Sequence, residues 1–447
     1  MAQQRRHPVS NLALSLLVDR TGWSMSDLAK FINRVGAENG VRLQYNASAI
    51  CHWLNGTLPR PEAVPVVVQA FARALGQPEL APEDLGWPDW VCAGPDRPWE
   101  GDPVALLTTL AREDMLSSHR PAVADLYVAG ALSPFAPASS ASSVVHANRM
   151  LCADVCDVAR IRATTDALFD VAATHGGGHG RCAVSAYLVN DVVPHLRATT
   201  GPTRPKLLRA ASELAYLLGW MSADAGAHGR AQRYFIQALR LADEAGDCVA
   251  RCILLCRLFS QALCLVHRKA APAMVDAAAY AVRAGCHPRV RAGLLNVQAM
   301  ACALVEDRSG ALAALRASER AMEHADSLCA LGWFQHYRDE FFGYATGAVL
   351  VDLNDLKGAA TRLADYLKSD CSNRADRTLI GIKLAHTQVA QGRPDEAAAT
   401  LRSLSGDLSM MVSEQVRTKS TTLPRRTLTA RSSAMAETPP HTHFMLP

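Results

Sequence analysis

Residues 46–61 read NASAICHWLNGTLPRP, and this stretch predicts the helix around which the first domain is organised. Ile50, Trp53 and Leu54 recur at three- and four-residue separations, so they share one helical face and point inward. The polar positions fall on the other face: Ser48, His52 and Asn55. A glycine followed by two prolines ends the pattern. The stretch therefore predicts a short, half-buried helix with one hydrated face.

Two further helices are predicted upstream. Residues 11–20 form the first of them, with its inner side made by Leu12, Leu16 and Leu17. Residues 23–35 form the second, where Ser24 followed by Asp27 is typical of a helix N-terminus. Its apolar stripe consists of Leu28, Ala29, Phe31 and Ile32. Two helices in this order predict a helix-turn-helix, although the connection over residues 36–45 is longer than a tight turn.

These motifs resemble the DNA-binding domains of the Cro/repressor type. The closer resemblance is to a family of actinobacterial, Streptomyces-type transcriptional regulators that includes a negative regulator of differentiation. Members of that family join an N-terminal helix-turn-helix to C-terminal tetratricopeptide-like repeats. The run NRVGAENGVRLQY at residues 33–45 is similar to the segment before the recognition helix in that family. The resemblance implies a DNA-binding regulator of sporulation, differentiation or secondary metabolism.

The predicted contacts to double-stranded DNA are of two kinds. Phosphates are expected to bind Lys30, Arg42 and Arg60. The side chains expected to face the groove are Gln44, Asn46, Ser48, His52 and Asn55. Residues 1–75 carry eight Lys and Arg against four Asp and Glu, an excess equal to the +4 of the whole chain. That is a modest charge for a DNA-binding domain.

An alternative function stays open beside DNA binding. Ala47, on the predicted recognition helix, can contact no more than a thymine methyl group. Together with the modest charge, this residue suits a protein-interaction scaffold whose helix-turn-helix has lost the ability to bind DNA. The intact pattern over residues 48–61 favours DNA binding instead.

The composition is typical of an all-α protein with two or three domains. The chain has 447 residues, of which 49% are hydrophobic, 20% are charged and 6% are aromatic. We expect a cytoplasmic protein without membrane contact, because neither a signal-peptide pattern nor a run of 18 uncharged apolar residues occurs. The 13 cysteines are then expected to be reduced thiols.

The chain is predicted to fall into four segments. Residues 1–86 form the helix-turn-helix domain, and residues 87–143 form a linker or ordered extension with a loop. Proline is frequent in the first part of that extension, and Trp87, Trp90 and Trp99 are expected to pin it. Residues 144–406 form a tetratricopeptide-like α-solenoid, and residues 407–447 form a disordered tail rich in Ser, Thr and Pro.

Internal repeats carry the prediction of a solenoid. In the clearest unit, residues 215–247, Gly219 lies on the first helix, Gly226 in the turn and Phe235 on the second helix. Small residues let the two helices cross closely while a large apolar side chain fills the gap. Gly347 and Leu363 repeat this pair. Weaker copies place alanine at the position of Ala231: Ala271, Ala311, Ala359 and Ala397.

The first helices of such hairpins are expected to line a groove for a peptide or protein effector. The residues predicted to face it are Glu213, Tyr216, Trp220, Asp224, Asn296, Tyr344, Asp352 and His386. Several of them suit packing between repeats equally well. The array is also expected to mediate homodimerisation, because one recognition helix reaches only a few base pairs.

No motif points to catalysis, a cofactor or a metal. Cys248, Cys252, Cys256 and Cys264 lie on one helical stripe, where ligands diverge along the helix axis, so they are expected to pack as small apolar residues. The tract His175-Gly-Gly-Gly-His179 with Cys182 is open to two interpretations, a zinc site or a turn between helices. The tract lacks the Gly-Lys-Ser/Thr ending of a phosphate loop. We therefore predict a protein that is not an enzyme.

Overall fold

The computed structural model of the protein describes most of the chain. The described residues are 11–38, 41–77, 80, 82–87, 99, 101–115, 152–265, 287–323, 339–368, 374–413, 416, 417 and 420. Their secondary structure is α-helix, with short 3₁₀ turns, one π-helical stretch and no strand. The predicted all-α class is confirmed for this part of the molecule. None of its helices combines the length and the apolarity that crossing a bilayer requires.

Residues 11–87 build the first domain. Its helices are α1 Leu12–Thr21, α2 Met25–Glu38, α3 Ala47–Leu54 and α4 Val64–Leu75. Short 3₁₀ turns cover Pro61–Ala63 and Pro82–Leu85. Each helix and the second 3₁₀ turn contribute to one core, which includes Leu14, Leu28, Ile32, Ile50, Trp53, Phe71 and Leu85. The core leaves one side of α3 uncovered.

Of the three residues predicted on the inner side of α1, only Leu17 is buried. The core residues of α1 are Leu14, Leu17 and Val18. Leu12 and Leu16 are instead 70% and 65% exposed. The side chain of Asn11 caps α1, and its Nδ2 donates a 2.8 Å hydrogen bond to the carbonyl of Leu85. This contact with a distant segment sets the rotation of the helix.

Trp87 lies one residue beyond the predicted domain limit at residue 86, yet its side chain is part of the core of the first domain. Its side chain is 3% exposed and meets Trp53 edge-on at 6.4 Å between ring centroids. Trp87, the first of the three tryptophans expected to pin the extension, thus lies in the core of the first domain. Trp90 lies outside the described residues, as does the predicted limit at residue 143.

Helical hairpins make up the rest of the described chain. The helices from residue 103 to 244 are α5 Pro103–Asp114, α6 Val155–His175, α7 Arg181–Tyr187, α8 Val193–Ala198, α9 Arg204–Asp224 and α10 His228–Glu244. Those that follow are α11 Cys248–Cys264, α12 Pro288–Leu304, α13 Arg308–Glu323, α14 Asp339–Asp352, α15 Leu356–Lys368, α16 Arg374–Ala390, α17 Pro394–Ser403 and α18 Ser405–Met410. The π-helical stretch Leu188–Val192 joins α7 to α8.

The described residues fall into two compact units. The first lies within Met1–Val155 and Arg181–Gly246, and the second within Cys156–Gly180 and Asp247–Pro447. The first unit contains residues 11–87, α5 and the hairpin of α9 and α10. The second contains the later hairpins. The limit between Gly246 and Asp247 falls inside the segment that the sequence predicted as one repeat domain.

A buried ionic network fastens α5 to α7 and α10 within the first unit. The Asp114 carboxylate accepts a 2.8 Å hydrogen bond from Arg230 and a 2.7 Å hydrogen bond from the Tyr234 hydroxyl. Arg181 lies 3.4 Å from the same carboxylate. Burial, followed by the nearby Asp114 charge, raises the pKa of Tyr234 well above its usual value. The tyrosine therefore stays protonated and serves as a donor.

The turns of four described hairpins share one geometry. A residue in the left-handed conformation ends the first helix in each: Gly226, Glu306, Asn354 and Gly392. The next N–H then donates to the carbonyl five residues earlier, as from Ala227 to Ser222 at 2.9 Å and from Asp307 to Cys302 at 2.9 Å. This is the Schellman arrangement of a helix C-terminus. The structure thus confirms a repeat-like series of helical hairpins.

The predicted contacts inside the hairpins are also present. A Cβ added to Gly219 would lie 2.5 Å from the Phe235 ring, and one added to Gly347 would lie 2.5 Å from the Leu363 side chain. The repeated alanine is fully buried at Ala231, Ala311, Ala359 and Ala397. The predicted copy at Ala271 lies outside the described residues.

The start of the predicted disordered tail is ordered. Residues 405–410 form α18, and residues 411–413 continue as an extended segment. The prediction from residue 407 onward was therefore wrong for its first residues. Their apolar residues follow no regular helical period, although Leu408, Met411 and Val416 pack against the core around Ile382 and Leu401.

Candidate nucleic-acid interface

Helix α3 is held firmly at both ends. The side chain of Asn46 accepts a hydrogen bond from the N–H of Ala49, which caps the first turn. Gly56, at φ +91°, ends the helix in a Schellman turn, with the N–H of Thr57 bonded to the carbonyl of His52. The predicted inward residues are buried: Ile50, Trp53 and Leu54 at 0%, 3% and 8% exposure.

The outer face of α3 is exposed and polar. The predicted residues Ser48, His52 and Asn55 all reach solvent. Cys51 is exposed beside them, three residues after Ser48 and four before Asn55. Its thiol lies 3.3 Å from the Met25 sulfur of α2. Sequence reasoning missed Cys51 because a cysteine in a helix is usually an apolar core residue.

In residues 41–46, which lead into α3, inward and exposed side chains alternate as in an extended strand, although the described residues contain no sheet. Val41, Leu43 and Tyr45 turn toward the core. The residues between them are exposed: Arg42, Gln44 and Asn46. The period of two places these three polar side chains on one side of the segment. All three were predicted to contact DNA.

Asn33 of α2 anchors this segment. Its side chain accepts a hydrogen bond from the N–H of Tyr45 and donates one to the carbonyl of Tyr45, both at 2.8 Å. Nearby, the N–H of Val41 donates to the carbonyl of Gly36 at 2.8 Å. A Cβ at position 36 would lie 2.7 Å from the Val41 oxygen, so the approach requires glycine. These contacts fix Val41 and Tyr45, at the two ends of the described segment before α3, to helix α2.

The basic residues of the domain differ in their surroundings. The side chains of Arg42 and Arg60 are exposed and make no hydrogen bond or ion pair with the described residues. Lys30 is exposed but lies 3.1 Å from Asp27. The hydrogen bond from Ser24, followed by Lys30, lowers the pKa of the Asp27 carboxyl. An exposed pair of this kind is weak, so Lys30 can exchange its carboxylate partner for a phosphate.

Two other arginines are engaged within the domain. Arg20 donates a 2.9 Å hydrogen bond to the side chain of Gln77, and the Arg34 guanidinium lies 5.9 Å from the centre of the Phe31 ring. Few positively charged side chains of the domain therefore remain available to bind another molecule.

The eight residues predicted to line an effector groove are divided between the two units. Glu213, Tyr216, Trp220 and Asp224 lie in the first, and Asn296, Tyr344, Asp352 and His386 lie in the second. Asp352 is exposed, whereas Trp220, Tyr344 and His386 are half-buried. The four others are at most 9% exposed. The prediction of an exposed cluster is therefore wrong for those four residues.

The packing of α9 explains why the predicted groove residues on that helix are buried. That helix packs against α10 on one side and against α7 and α8 on others, so most of its circumference is covered. The ring of Tyr216 lies 5.7 Å from that of Phe235, inside the hairpin. Glu213 is fully buried, with its carboxylate 3.7 Å from the Arg209 guanidinium. These side chains serve packing between helices.

Asn296 on α12 is the exception among the buried four. Its side chain is 1% exposed, yet neither Oδ1 nor Nδ2 has a hydrogen-bond partner among the described residues. A buried amide without partners costs free energy, on the order of 1–3 kcal/mol for each lost hydrogen bond. Among the described residues, no group of three or more His, Cys, Asp or Glu is arranged to hold a metal ion.

Comparison with known proteins gives one match. A family model described as the SP15 N-terminal domain matches residues 14–88. No curated protein and no solved structure matches the chain. The matched range runs from α1 to the end of the core that contains Trp87. The chain is thus similar, over its first compact domain, to the SP15 N-terminal domain.

Proposed function

We propose that this protein is a sequence-specific, DNA-binding transcriptional regulator. The observation that carries the proposal is the exposed polar face of α3, together with the exposed side of the segment before it. Both are fixed to the core by Asn33, Asn46 and Trp53. A rigid helix with a hydrated outer edge is suited to the major groove, because no ordering cost falls on binding.

The side chains have the chemistry that such a role requires. Arg42 and Arg60 would bind phosphates and set the register, with Lys30 as a third contact. Gln44 and Asn55 carry an amide whose donor and acceptor complement N7 and N6 of adenine in the major groove. Asn46, whose Oδ1 caps α3, would contribute its Nδ2 as a donor. Ser48 and His52 add single hydrogen bonds. Ala47, half-buried at the start of α3, is left to contact a thymine methyl.

The later hairpins would mediate dimerisation and bind a peptide or protein effector. One helix reads a few base pairs, so two copies on adjacent half-sites would supply the specificity that one lacks. In the second unit, the predicted groove residues that a peptide could reach are the exposed Asp352 and the half-buried Tyr344 and His386. The resemblance to Streptomyces-type regulators points to control of differentiation or secondary metabolism.

Binding-site selection with the full chain tests the proposal. The wild type should select one sequence from random duplexes, and His52→Ala combined with Asn55→Ala should relax that selection. Arg60→Ala is the contrasting variant. It should weaken binding to every sequence alike and reduce the slope of log K against log salt by about one unit. Selection that is unchanged in the double variant would show that α3 does not read the bases.

A second function, the protein-interaction scaffold, is favoured by the small number of available positive charges. Arg20 and Arg34 have partners within the domain, and Lys30 has Asp27. A gel-shift assay with the DNA upstream of the protein's own gene, at low and at moderate salt, separates the two functions. Absence of any retarded complex, even at low salt, would favour the scaffold.

A further inference from the structure

Helix α6, Val155–His175, is apolar on two opposite sides. Its buried side includes Val158, Ile161 and Phe169. The opposite side is exposed along most of the helix, and we call it the outer face of α6: Cys156, Ala159, Ala163, Ala167 and Val171. A helix that is apolar on both sides is usually covered on both. The outer face is therefore a candidate surface for contact with another molecule.

Two opposite charges flank the outer face at equal distances from the middle of the helix. Arg160 lies five residues before residue 165, and Asp170 lies five residues after it. Both are exposed. Arg160 lies 2.7 Å from Asp157, in an exposed pair that contributes little and leaves the guanidinium able to bind a second carboxylate. The Asp170 side chain makes no hydrogen bond or ion pair with the described residues.

A second copy of α6, packed antiparallel on the outer face, would bring these charges together. In a twofold contact centred at residue 165, each residue before the centre meets the residue equally far after it in the other copy. Ala163 would then face Ala167 of the partner subunit, and their small side chains would let the helices approach closely. Arg160 would lie beside Asp170 of the partner subunit, and the symmetry would form this pair twice. The outer face is thus complementary in charge to itself.

We propose that the outer face of α6 is a contact between two copies of this chain, packed as antiparallel helices. From residue 156 onward, α6 belongs to the same compact unit as the later hairpins. The contact names a surface for the dimer in the function proposed above, and it rests on that function only for the role of the dimer in DNA binding.

The size of the outer face determines how strong the dimer is. A helix of 21 residues and about 10 Å width covers roughly 300 Å² in each copy. A stable complex buries about 800 Å² in each partner. The dimer is therefore weak and forms at micromolar concentrations or above, or between copies that DNA already holds close together.

Sedimentation of the full chain without DNA, from about 1 to 100 μM, tests the contact in the range where a weak dimer forms. The wild type should show a reversible monomer–dimer equilibrium. Arg160→Asp places like charges beside each other twice, so it should raise the dissociation constant at least about tenfold. Combination of Arg160→Asp with Asp170→Arg exchanges the two charges and should restore the wild-type constant within about threefold.

A mixture of the two single variants gives an independent result. Arg160→Asp chains and Asp170→Arg chains should each dimerise poorly alone and form heterodimers when mixed, because the charges then alternate again. A wild type that stays monomeric over the whole range would overturn the proposal. A double variant that dimerises as poorly as Arg160→Asp would also overturn it.

Arg402→Asp is the matched control. Arg402 is exposed on α17, in the same unit, and its side chain makes no hydrogen bond or ion pair with the described residues. The same reversal of charge at this position should leave the dissociation constant unchanged. An effect equal to that of Arg160→Asp would show that only the net charge matters and would overturn the contact.

Ala163→Glu tests the centre of the outer face without changing either flanking charge. Glutamate is a good helix former, so the helix content measured by circular dichroism should be kept while the dimer is lost. A dimer of wild-type strength in this variant would overturn the contact. Self-association of the wild type without any DNA binding would contradict the function proposed above and leave this contact standing.

Discussion

At residue 306 the backbone is left-handed, with φ +65°, although the side chain is that of glutamate. The equivalent turns use glycine at positions 226 and 392 and asparagine at position 354. A residue with a Cβ pays on the order of 1–2 kcal/mol in this conformation, and asparagine pays less than most. The repeat tolerates the strain because the Schellman turn and the buried Ala311 hold the chain on both sides.

Replacement of Glu306 by glycine should therefore stabilise the protein. We expect the free energy of unfolding to rise by about 1 kcal/mol. Glycine relieves the backbone strain at residue 306, and its greater conformational entropy in the unfolded chain offsets only part of that gain. Chemical denaturation monitored by circular dichroism measures it. Glu306→Ala removes the same side chain but keeps the Cβ, so it should give no comparable gain. A loss of stability in Glu306→Gly would show that the glutamate side chain itself contributes.

At the level of elements, the orientation of α3 depends on α2 through one side chain. Asn33 pairs with both main-chain groups of Tyr45, immediately before the N-cap of α3. The ring of Tyr45 in turn meets that of Trp53 edge-on at 4.9 Å. Asn33 is thus a positioning residue for the proposed DNA-reading face, and it reaches no base itself in this arrangement.

Asn33→Ala should lower DNA affinity at least about tenfold, because Tyr45 loses two hydrogen bonds and the start of α3 is no longer fixed. Titration of the selected duplex measures the affinity, and thermal denaturation measures stability in parallel. Asn33→Asp keeps the acceptor for the Tyr45 N–H and loses the donor, so it should be intermediate. If the alanine variant keeps full affinity and selectivity, Asn33 serves stability alone.

At the level of the whole molecule, the described chain contains two compact units that repeat one packing rule. In each unit a glycine on one helix admits a large side chain from the next: Phe235 at Gly219 in the first, and Leu363 at Gly347 in the second. Because each unit has its own buried residues, the unfolding of the chain need not be a single two-state transition.

Matched alanine substitutions should reveal the two transitions. Gly219→Ala should destabilise the first unit by about 1–3 kcal/mol through overpacking against Phe235, and Gly347→Ala should do the same in the second unit. Hydrogen exchange at increasing denaturant concentration reports each unit separately. If either variant lowers the protection of both units equally, they unfold as one.

Several features followed from the sequence because they depend on neighbours along the chain. The inward face of α3, the cap at Ser24 and the glycine–phenylalanine pair of the clearest repeat were all predicted from spacing. The rotation of α1 was not, since Leu12 and Leu16 give as good a stripe as the residues actually buried. Contacts with distant residues distinguish the two: Asn11 is hydrogen-bonded to Leu85, and Leu14 and Val18 pack in the shared core.

The same division applies to the candidate sites. The sequence by itself determined the all-α class, the hairpin repeats and the exposed polar edge of α3, because local periodicity and turn chemistry specify each of them. Only the tertiary structure decided that Asn33 anchors Tyr45, that Glu213 and Tyr216 are buried, and that Gly178 is hydrogen-bonded to Val412. Those contacts join residues that the chain brings together only on folding, and no local pattern encodes which distant main-chain group a side chain or loop will meet.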